Sequence, residues 1–521
     1  MPTRHSFAEV HLDVSTRGEQ SQTTPDQETP FRVAILGNFS GRRNLGLSES
    51  GDALANRRPQ MIDRDNFDSV LARMAPRLEL APEGEDAFRI SLKFADLDDF
   101  HPDRLFERVP MFQKLRDTRE KLNNPATFAK TASELGLVGK KPSAEAAPAA
   151  PPHRVTGADI QRAVSGSLLD EMIEATEGRV AESRSKPADE WTRLLNRIVA
   201  PHLVAKADPR QAELVALIDK ATSVQMAALL HAPDFQALEA AWRGISFLVR
   251  NIETDSHLKL FLIDVSKEEL AEDLSASGDL SSTGIYRLLV EQTMGTPGAE
   301  PWAVMVGNFN FTPNLEDVEL LTRIAKVAAG AGAPFIAGAS PRLLGCDSVL
   351  DLPDPRQWKI KMSEETAASW QSLRSSPEAR FVGLALPRFL LRLPYGKDTE
   401  PAELFQFEEI ADGGAHDDYL WCNSALACAL LLAQSFAEQG WGLRPGSISE
   451  ISGLPIYVHN VEGEARSLPC AEVLLTQTAA EKMMEKGFMP LASLKDQPRV
   501  RLVRFQAIAD PLSSLAGRWT P

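Results

Sequence analysis

The sequence predicts an α/β protein in two parts, with a mixed sheet and a helical region between the parts. Three observations lead there. Phe31-Arg-Val-Ala-Ile-Leu36 is a short apolar run closed by the glycine turn Gly37-Asn-Phe-Ser-Gly41, the pattern of a buried strand. Trp302–Val306, the helical pattern Asn314–Ala329 and Pro334–Ala337 follow one another with short joints. Strand, helix, strand in that order is a βαβ unit, so at least part of the sheet is expected to be parallel. Between these regions, Val138–Val155 holds Pro142, Pro148, Pro151 and Pro152 among alanines and lysines, a stiff mixture that packs poorly.

Ahead of Phe31, Val10, Leu12 and Val14 alternate with Glu9, His11 and Asp13, as on a half-buried strand, and Ser15–Thr29 is polar. Asp63–Met74 puts Phe67, Val70, Leu71 and Met74 on one helical face, and Phe88–Phe94 alternates again. Asp98 or Asp99 is the expected cap of a helix with Pro102 near its first turn, running towards Leu122. The expected organisation is then a first domain over residues 1–137, a linker over 138–157, a helical region over 158–232 and an α/β domain over 233–515. Leu168, Leu169, Met172 and Ile173 form one apolar face in the helical region. Pro233–Val249 carries Phe235, Leu238, Ala241, Trp242, Ile245 and Leu248 at helical spacing. Leu258–Val265, Phe381–Leu386 and Ile456–His459 read as strands, and Thr312-Pro313 as the N-cap and first turn of the helix that follows.

With 521 residues, 43% of them apolar and 25% charged, the chain has material for more than one core. Its net charge of −16 argues against general affinity for nucleic acid or anionic lipid, since both reward Lys and Arg. Cys346, Cys422, Cys428 and Cys470 form no CxxC pair and have no His at zinc-ligand spacing, so they are expected to be buried thiols in a reducing compartment. Met1–Gln27 has no apolar signal segment, and no run of about 18 apolar residues occurs. Leu420–Phe436, broken by Asn423, Ser424, Gln434 and Ser435, reads as a buried helix. A cytoplasmic protein without membrane insertion is the expectation.

Catalytic motifs fail one after another. Gly37–Arg42 sits where a phosphate loop would sit, but its spacing is neither GxxxxGK[ST] nor GxGxxG. Gly307-Asn308-Phe309 follows a strand, where ligands gather in open α/β sheets, yet it brings no acidic cluster. Ser340 lacks the flanks of a nucleophile elbow, because Arg342 stands where a glycine is needed. His231, His416 and His459 are candidate bases, and His416 beside Asp417 and Asp418 could imitate part of a triad; a solvated loop is the plainer reading. No catalytic, cofactor-binding or metal-binding residue is therefore assigned, and no cofactor is expected.

Several stretches carry a resemblance. Arg32-Val-Ala-Ile-Leu-Gly-Asn-Phe-Ser-Gly41, Asp63–Leu78 and Leu97-Asp-Asp-Phe-His-Pro102 resemble the small subunit of the type VI secretion contractile sheath. Phe235–Gly244, Leu248–Thr254, Glu316–Ala328, Ala333-Pro-Phe-Ile336, Leu386–Gly396, Asp418-Tyr-Leu-Trp421 and Gly487-Phe-Met-Pro-Leu491 resemble, in family order, its large subunit. The resemblance implies a sheath-subunit fold and a structural role: small and large subunits pair, stack as helical rings around an inner tube, and contract. It also implies sheath subunits or further copies as partners, with the inner tube, the baseplate and the sheath-disassembly ATPase as others.

Val10, Leu12 and Val14 would then offer a strand edge for assembly. Leu168, Leu169, Met172 and Ile173 resemble the amphipathic helix that the ATPase recognises, although the same face could pack internally. The family's large subunit continues beyond the Gly-Phe-x-Pro-Leu region, whereas this sequence stops at Pro521. The chain alone is accordingly expected not to build long contractile tubes, and to serve either as a building block of the sheath or as a sheath-associated component at its end or baseplate. A regulatory module that binds true sheath subunits, and an α/β enzyme of unassigned chemistry, are the alternatives.

Overall fold

The apolar run at Phe31–Leu36 forms a strand, Phe31–Gly37 (β1), in the computed structural model. The structure describes residues 25–26, 28–81, 89–135, 211–294, 298–351, 353–410, 414–461 and 464–519. After β1 come the short helix Asp52–Ala55 (α1), the strand Gln60–Ile62 (β2) and the helix Phe67–Met74 (α2). The last buries Phe67, Val70 and Leu71, as the spacing predicts. Arg77–Leu80 (β3) and Ile90–Lys93 (β4) pair as an antiparallel hairpin.

The single helix expected from Asp98 towards Leu122 is instead three pieces. A 3-10 turn, Leu97–Phe100, leads to Pro102–Arg108 (α3) and Pro110–Asn123 (α4). Pro110 has no N–H to give the preceding turn and holds Val109 extended, which breaks the helix there. The caps also differ: Asp96 accepts from the Asp99 N–H, and the His101 ring accepts from the Asp103 N–H. The helix Pro125–Glu134 (α5) follows.

The linker 138–157 and most of the region 158–232, with Leu168, Leu169, Met172 and Ile173, lie outside the described residues, as do Val10, Leu12 and Val14. Gln211–Leu230 (α6) leads into Pro233–Asn251 (α7), which buries Phe235, Leu238, Ala241, Trp242, Ile245 and Leu248. Then come Leu258–Asp264 (β5), Lys267–Ser275 (α8), Val304–Phe311 (β6), Leu315–Ala331 (α9) and Phe335–Ala339 (β7). The predicted βαβ unit is thus present, with β6 and β7 parallel. Its helix is capped by Asn314, whose side chain accepts from Asp317 N at 2.7 Å; Thr312 instead donates to the Asp317 carboxylate.

The remaining elements are Glu364–Ser375 (α10), Val382–Leu386 (β8), Phe389–Leu390 (β9), Trp421–Cys422 (β10) and Ser424–Gln439 (α11). They end with Glu450–Ser452 (β11), the hairpin Tyr457–Val461 (β12) and Glu464–Leu468 (β13), the helix Gln477–Glu485 (α12), and Met489–Ser493 (β14) with Arg499–Leu502 (β15).

One nine-stranded mixed sheet organises the molecule, in the order β11-β15-β14-β8-β7-β6-β1-β5-β2. β1 pairs in parallel with β5 along Phe31–Gly37 and with β6 along Val33–Leu36. The N-terminal part therefore supplies an interior strand and one edge, β2, to a sheet otherwise built from the C-terminal part. Without β1, β5 and β6 would each expose a row of unpaired backbone groups. β7 and β8 are buried along their whole length, as expected of parallel strands covered on both faces.

The helix α11, buried along Ser424–Ala433, runs across β1 and β5 through β8. It meets α7 at Gly244, where a Cβ would lie 2.6 Å from Leu426 Cδ1, so any side chain there would have to displace Leu426. Phe31 stacks on Phe436 at 4.6 Å and packs against Trp441 and Trp519, fastening the start of β1 to residues from the far end of the chain. Aromatic pairs of this kind add about 0.5–1.5 kcal/mol beyond their burial.

Candidate functional site

Numbered along the chain, β1, β5, β6, β7 and β8, which β14 extends in parallel beyond β8, lie in the order fifth, fourth, third, first, second. In doubly wound sheets of this order the ligand crevice opens between the first and third strands, at their carboxyl ends. Here those ends carry Gly37–Arg42 and the Asn308 region, the two loops in which the sequence places a ligand site. The first is already occupied by the protein itself. The Asp264 carboxylate at the end of β5 accepts from Phe39 N at 2.8 Å, Ser40 N at 3.0 Å and the Ser40 hydroxyl at 2.6 Å. Backbone amides that would cradle a phosphate are thereby turned onto an internal anion. Phe39 is fully buried, and Trp242 Nε1 donates to its carbonyl at 2.8 Å. Strand β6 runs on through Asn308 with an irregularity between Gly307 and Asn310, and Asn423 donates to the freed Phe309 carbonyl at 2.9 Å.

His416 is held in a structural ion cluster. His416 Nε2 lies 3.2 Å from Glu472 Oε1, and its ring stacks on Trp421. Arg388 donates to the same carboxylate at 2.8 Å and reaches Asp417 at 3.3 Å. Asp418 instead accepts from Ala415 N and lies 3.4 Å from His231, so the adjacent aspartates serve different partners. Burial pushes the Glu472 carboxyl up, but His416 and Arg388 outweigh it and hold it at about 2. His231 Nε2 is 3.6 Å from Glu409, beyond hydrogen-bond length. For His459 the structure describes backbone pairing with Arg466 in the β12–β13 hairpin.

A second cluster, missed at the sequence level, lies deeper. Arg392 donates to both oxygens of Glu239, at 2.8 and 3.2 Å, and to both of Glu409, at 2.7 and 3.0 Å. Arg243 joins Glu239 at 2.7 Å and the Tyr395 hydroxyl at 2.8 Å. Glu409 would be raised by burial, yet Arg392 and the Tyr395 N–H bring it down to about 2. A third cluster joins the two parts of the chain: Arg42 and Arg57 converge on Glu269 at 3.0 and 2.8 Å, and Glu269 also accepts from Glu49 N. Only Glu239–Arg243, four residues apart on α7, could be read from spacing; the other pairs join separate segments of the chain. All four cysteines are free and buried; burial pushes the Cys346 thiol up to about 11 and raises those of Cys422 and Cys428 too, which suppresses thiolate chemistry.

Among the described residues, the sheet edges and a cleft near the crevice are accessible from outside. The sheet ends in short edges, β2 with exposed Met61 and β11. Beside the sealed crevice, a cleft of about 630 Å³ opens between the loop after β1, the end of α2 and the base of the β3–β4 hairpin. Arg42, Arg77, Lys93 and Arg108 line it together with a single carboxylate among the described residues, Asp264, which the turn's own amides engage, beside apolar residues that include Leu47 and Met74. No single helix among the described residues is long and apolar enough to cross a membrane.

Comparison with known proteins gives these arrangements a context. Residues 4–135 match the family described as Type VI secretion system, VipA, VC_A0107 or Hcp2, and residues 212–508 match that described as EvpB/VC_A0108, tail sheath N-terminal domain. The type VI secretion system sheath protein TssC1 of Pseudomonas aeruginosa is 36% identical over 304 residues, which cover 57% of this chain and 61% of that protein. The sheath protein TssB1 of the same organism is 29% identical over 132 residues, covering 24% of this chain and 72% of that protein. The chain thus spans about three-fifths of the length of the larger relative. With more than half of its residues inside the second match, the chain belongs to the EvpB/VC_A0108 tail-sheath family, and it carries the VipA-like part ahead of that region in the same polypeptide.

Proposed function

We propose that this protein is a structural component of a type VI secretion contractile sheath, working as a small and a large sheath subunit fused in one chain. The observation that carries the reading is the place of β1. The strand from the VipA-like part lies between β5 and β6 of the EvpB-like part and completes their sheet. Two subunits joined through an interior strand make one folded unit, which is what a repeating lattice needs of its building block.

The sealed Gly37–Arg42 turn and the engagement of His416 by Glu472 support a scaffold in preference to an enzyme. Its partners in this reading are sheath subunits and further copies of itself. The inner tube, the baseplate and the disassembly ATPase are the wider set, with Leu168, Leu169, Met172 and Ile173 as the ATPase contact and Val10, Leu12 and Val14 as an assembly edge. The place of work is the cytoplasm.

Electron microscopy of the purified, labelled chain mixed with ordinary small and large sheath subunits tests the reading. The label is expected within the sheath wall or at its ends. Sheaths that form normally and never carry the label, at any mixing ratio, would remove the proposal.

A further inference from the structure

The basic cleft holds cations that the fold does not use. Arg42 is committed to Glu269, and Arg108 is paired with Asp99. Arg77 and Lys93 are exposed, and neither has a side-chain partner among the described residues. They also stand directly opposite each other in the β3–β4 ladder. Like charges directly opposite each other destabilise a hairpin. The position is fixed from beneath: Arg77 N donates to Ser40 O, and a Cβ on Gly41 would lie 2.0 Å from Arg77 O.

We infer that this cleft receives an acidic turn of a second copy of the chain, the one carrying Asp398, Glu403 and Leu404. This rests on the sheath reading, in which copies repeat against one another. Each copy carries a net charge of −16, so two copies repel at long range. Contact must then form where charge is locally reversed, within a Debye length of about 8 Å. The cleft is such a place.

The acidic turn complements it in kind. Asp398 and Glu403 are exposed and have no cationic partner among the described residues, and Leu404 is 49% exposed beside them. The turn is presented rigidly: Glu403 N and Leu404 N donate to Asp103, and Phe405 stacks on Phe106 at 4.6 Å. Carboxylates fit Arg77 and Lys93, while Leu404 fits the apolar residues Leu47 and Met74. Because cleft and turn are different surfaces, the contact is heterologous: each copy offers one surface and accepts with the other, and the rotation between copies sets whether the row closes into a ring.

A charge swap on the full chain tests this by sedimentation velocity over a concentration series. One variant carries Arg77→Glu with Lys93→Glu, the other Asp398→Lys with Glu403→Lys; all four positions are exposed, and thermal melts check that both variants fold. Each variant alone is expected to lose self-association by about tenfold or more, since it sets like charges together. Mixed, they regain it, because each supplies the complement that the other lacks. Self-association that is unchanged in either variant, or a mixture that stays apart, overturns the inference. So does a wild-type chain that remains monomeric, or one whose cleft instead captures an oligonucleotide. Incorporation of the wild-type chain into sheaths is scored separately, so this contact can fail while the sheath reading stands.

Discussion

Arg392 is 7% exposed and lies between two buried carboxylates, Glu239 and Glu409. Removing the cation would leave Glu409 without its guanidinium partner and Glu239 with Arg243 alone, in a low-dielectric interior. Arg392→Met is therefore expected to destabilise the protein by about 3–5 kcal/mol, read as a shift of the denaturant midpoint. Combining it with Glu239→Gln and Glu409→Gln should recover part of the loss; no recovery would show that the packing of the guanidinium, not its charge, is what matters. The same chemistry sets a pH dependence. Glu409 and Glu472 are held at about 2, against an ordinary value of 4.5. Between those values the unfolded chain binds more protons than the folded one, so stability rises with pH. The stabilisation is complete above the ordinary carboxylate range and is lost as pH falls towards 2. Melting curves of Glu472→Gln should be lower than wild type at neutral pH and fall less steeply between pH 5 and pH 2; parallel curves would contradict the assignment. At this scale the sequence was least informative. His416 stood out as a histidine beside Asp417 and Asp418, whereas its real partner, Glu472, arrives from another segment of the chain, as does the Arg388 that shares that carboxylate.

Among the elements, periodicity was a good guide wherever burial was one-sided or complete. The α7 face and the βαβ unit β6–α9–β7 are where spacing places them. Local chemistry decided the misses: Pro110 splits the helix expected to reach Leu122, and Asn314 caps α9 in place of Thr312. Gly41, at φ +83, is the joint between the β1 turn and the β3–β4 hairpin. A side chain there meets the Arg77 carbonyl and an unfavourable backbone region together. Gly41→Ala should cost about 1–3 kcal/mol and speed amide exchange across Arg77–Leu80 and Ile90–Lys93, seen by hydrogen exchange. Exchange that changes uniformly over the whole chain would mean that the hairpin is not hung from this turn.

For the whole molecule, the α/β class and the two-part organisation were legible, but the way the parts combine was not. Nothing in Phe31–Leu36 says that it pairs with Leu258–Asp264 on one side and Val304–Phe311 on the other, because register across such separations is a tertiary choice. The resemblance pointed to paired subunits; the structure puts the pairing inside one sheet. The central claim is therefore that residues 31–62 are an integral part of the fold of residues 233–515. Its most direct test is to place a protease site between residues 138 and 157, cleave the purified chain and follow amide exchange at Val33–Leu36. The account predicts that the two pieces stay together at micromolar concentration and that these amides keep the protection they have in the intact chain. Pieces that separate in soluble, folded form, or β1 amides that exchange freely after cleavage, would contradict it.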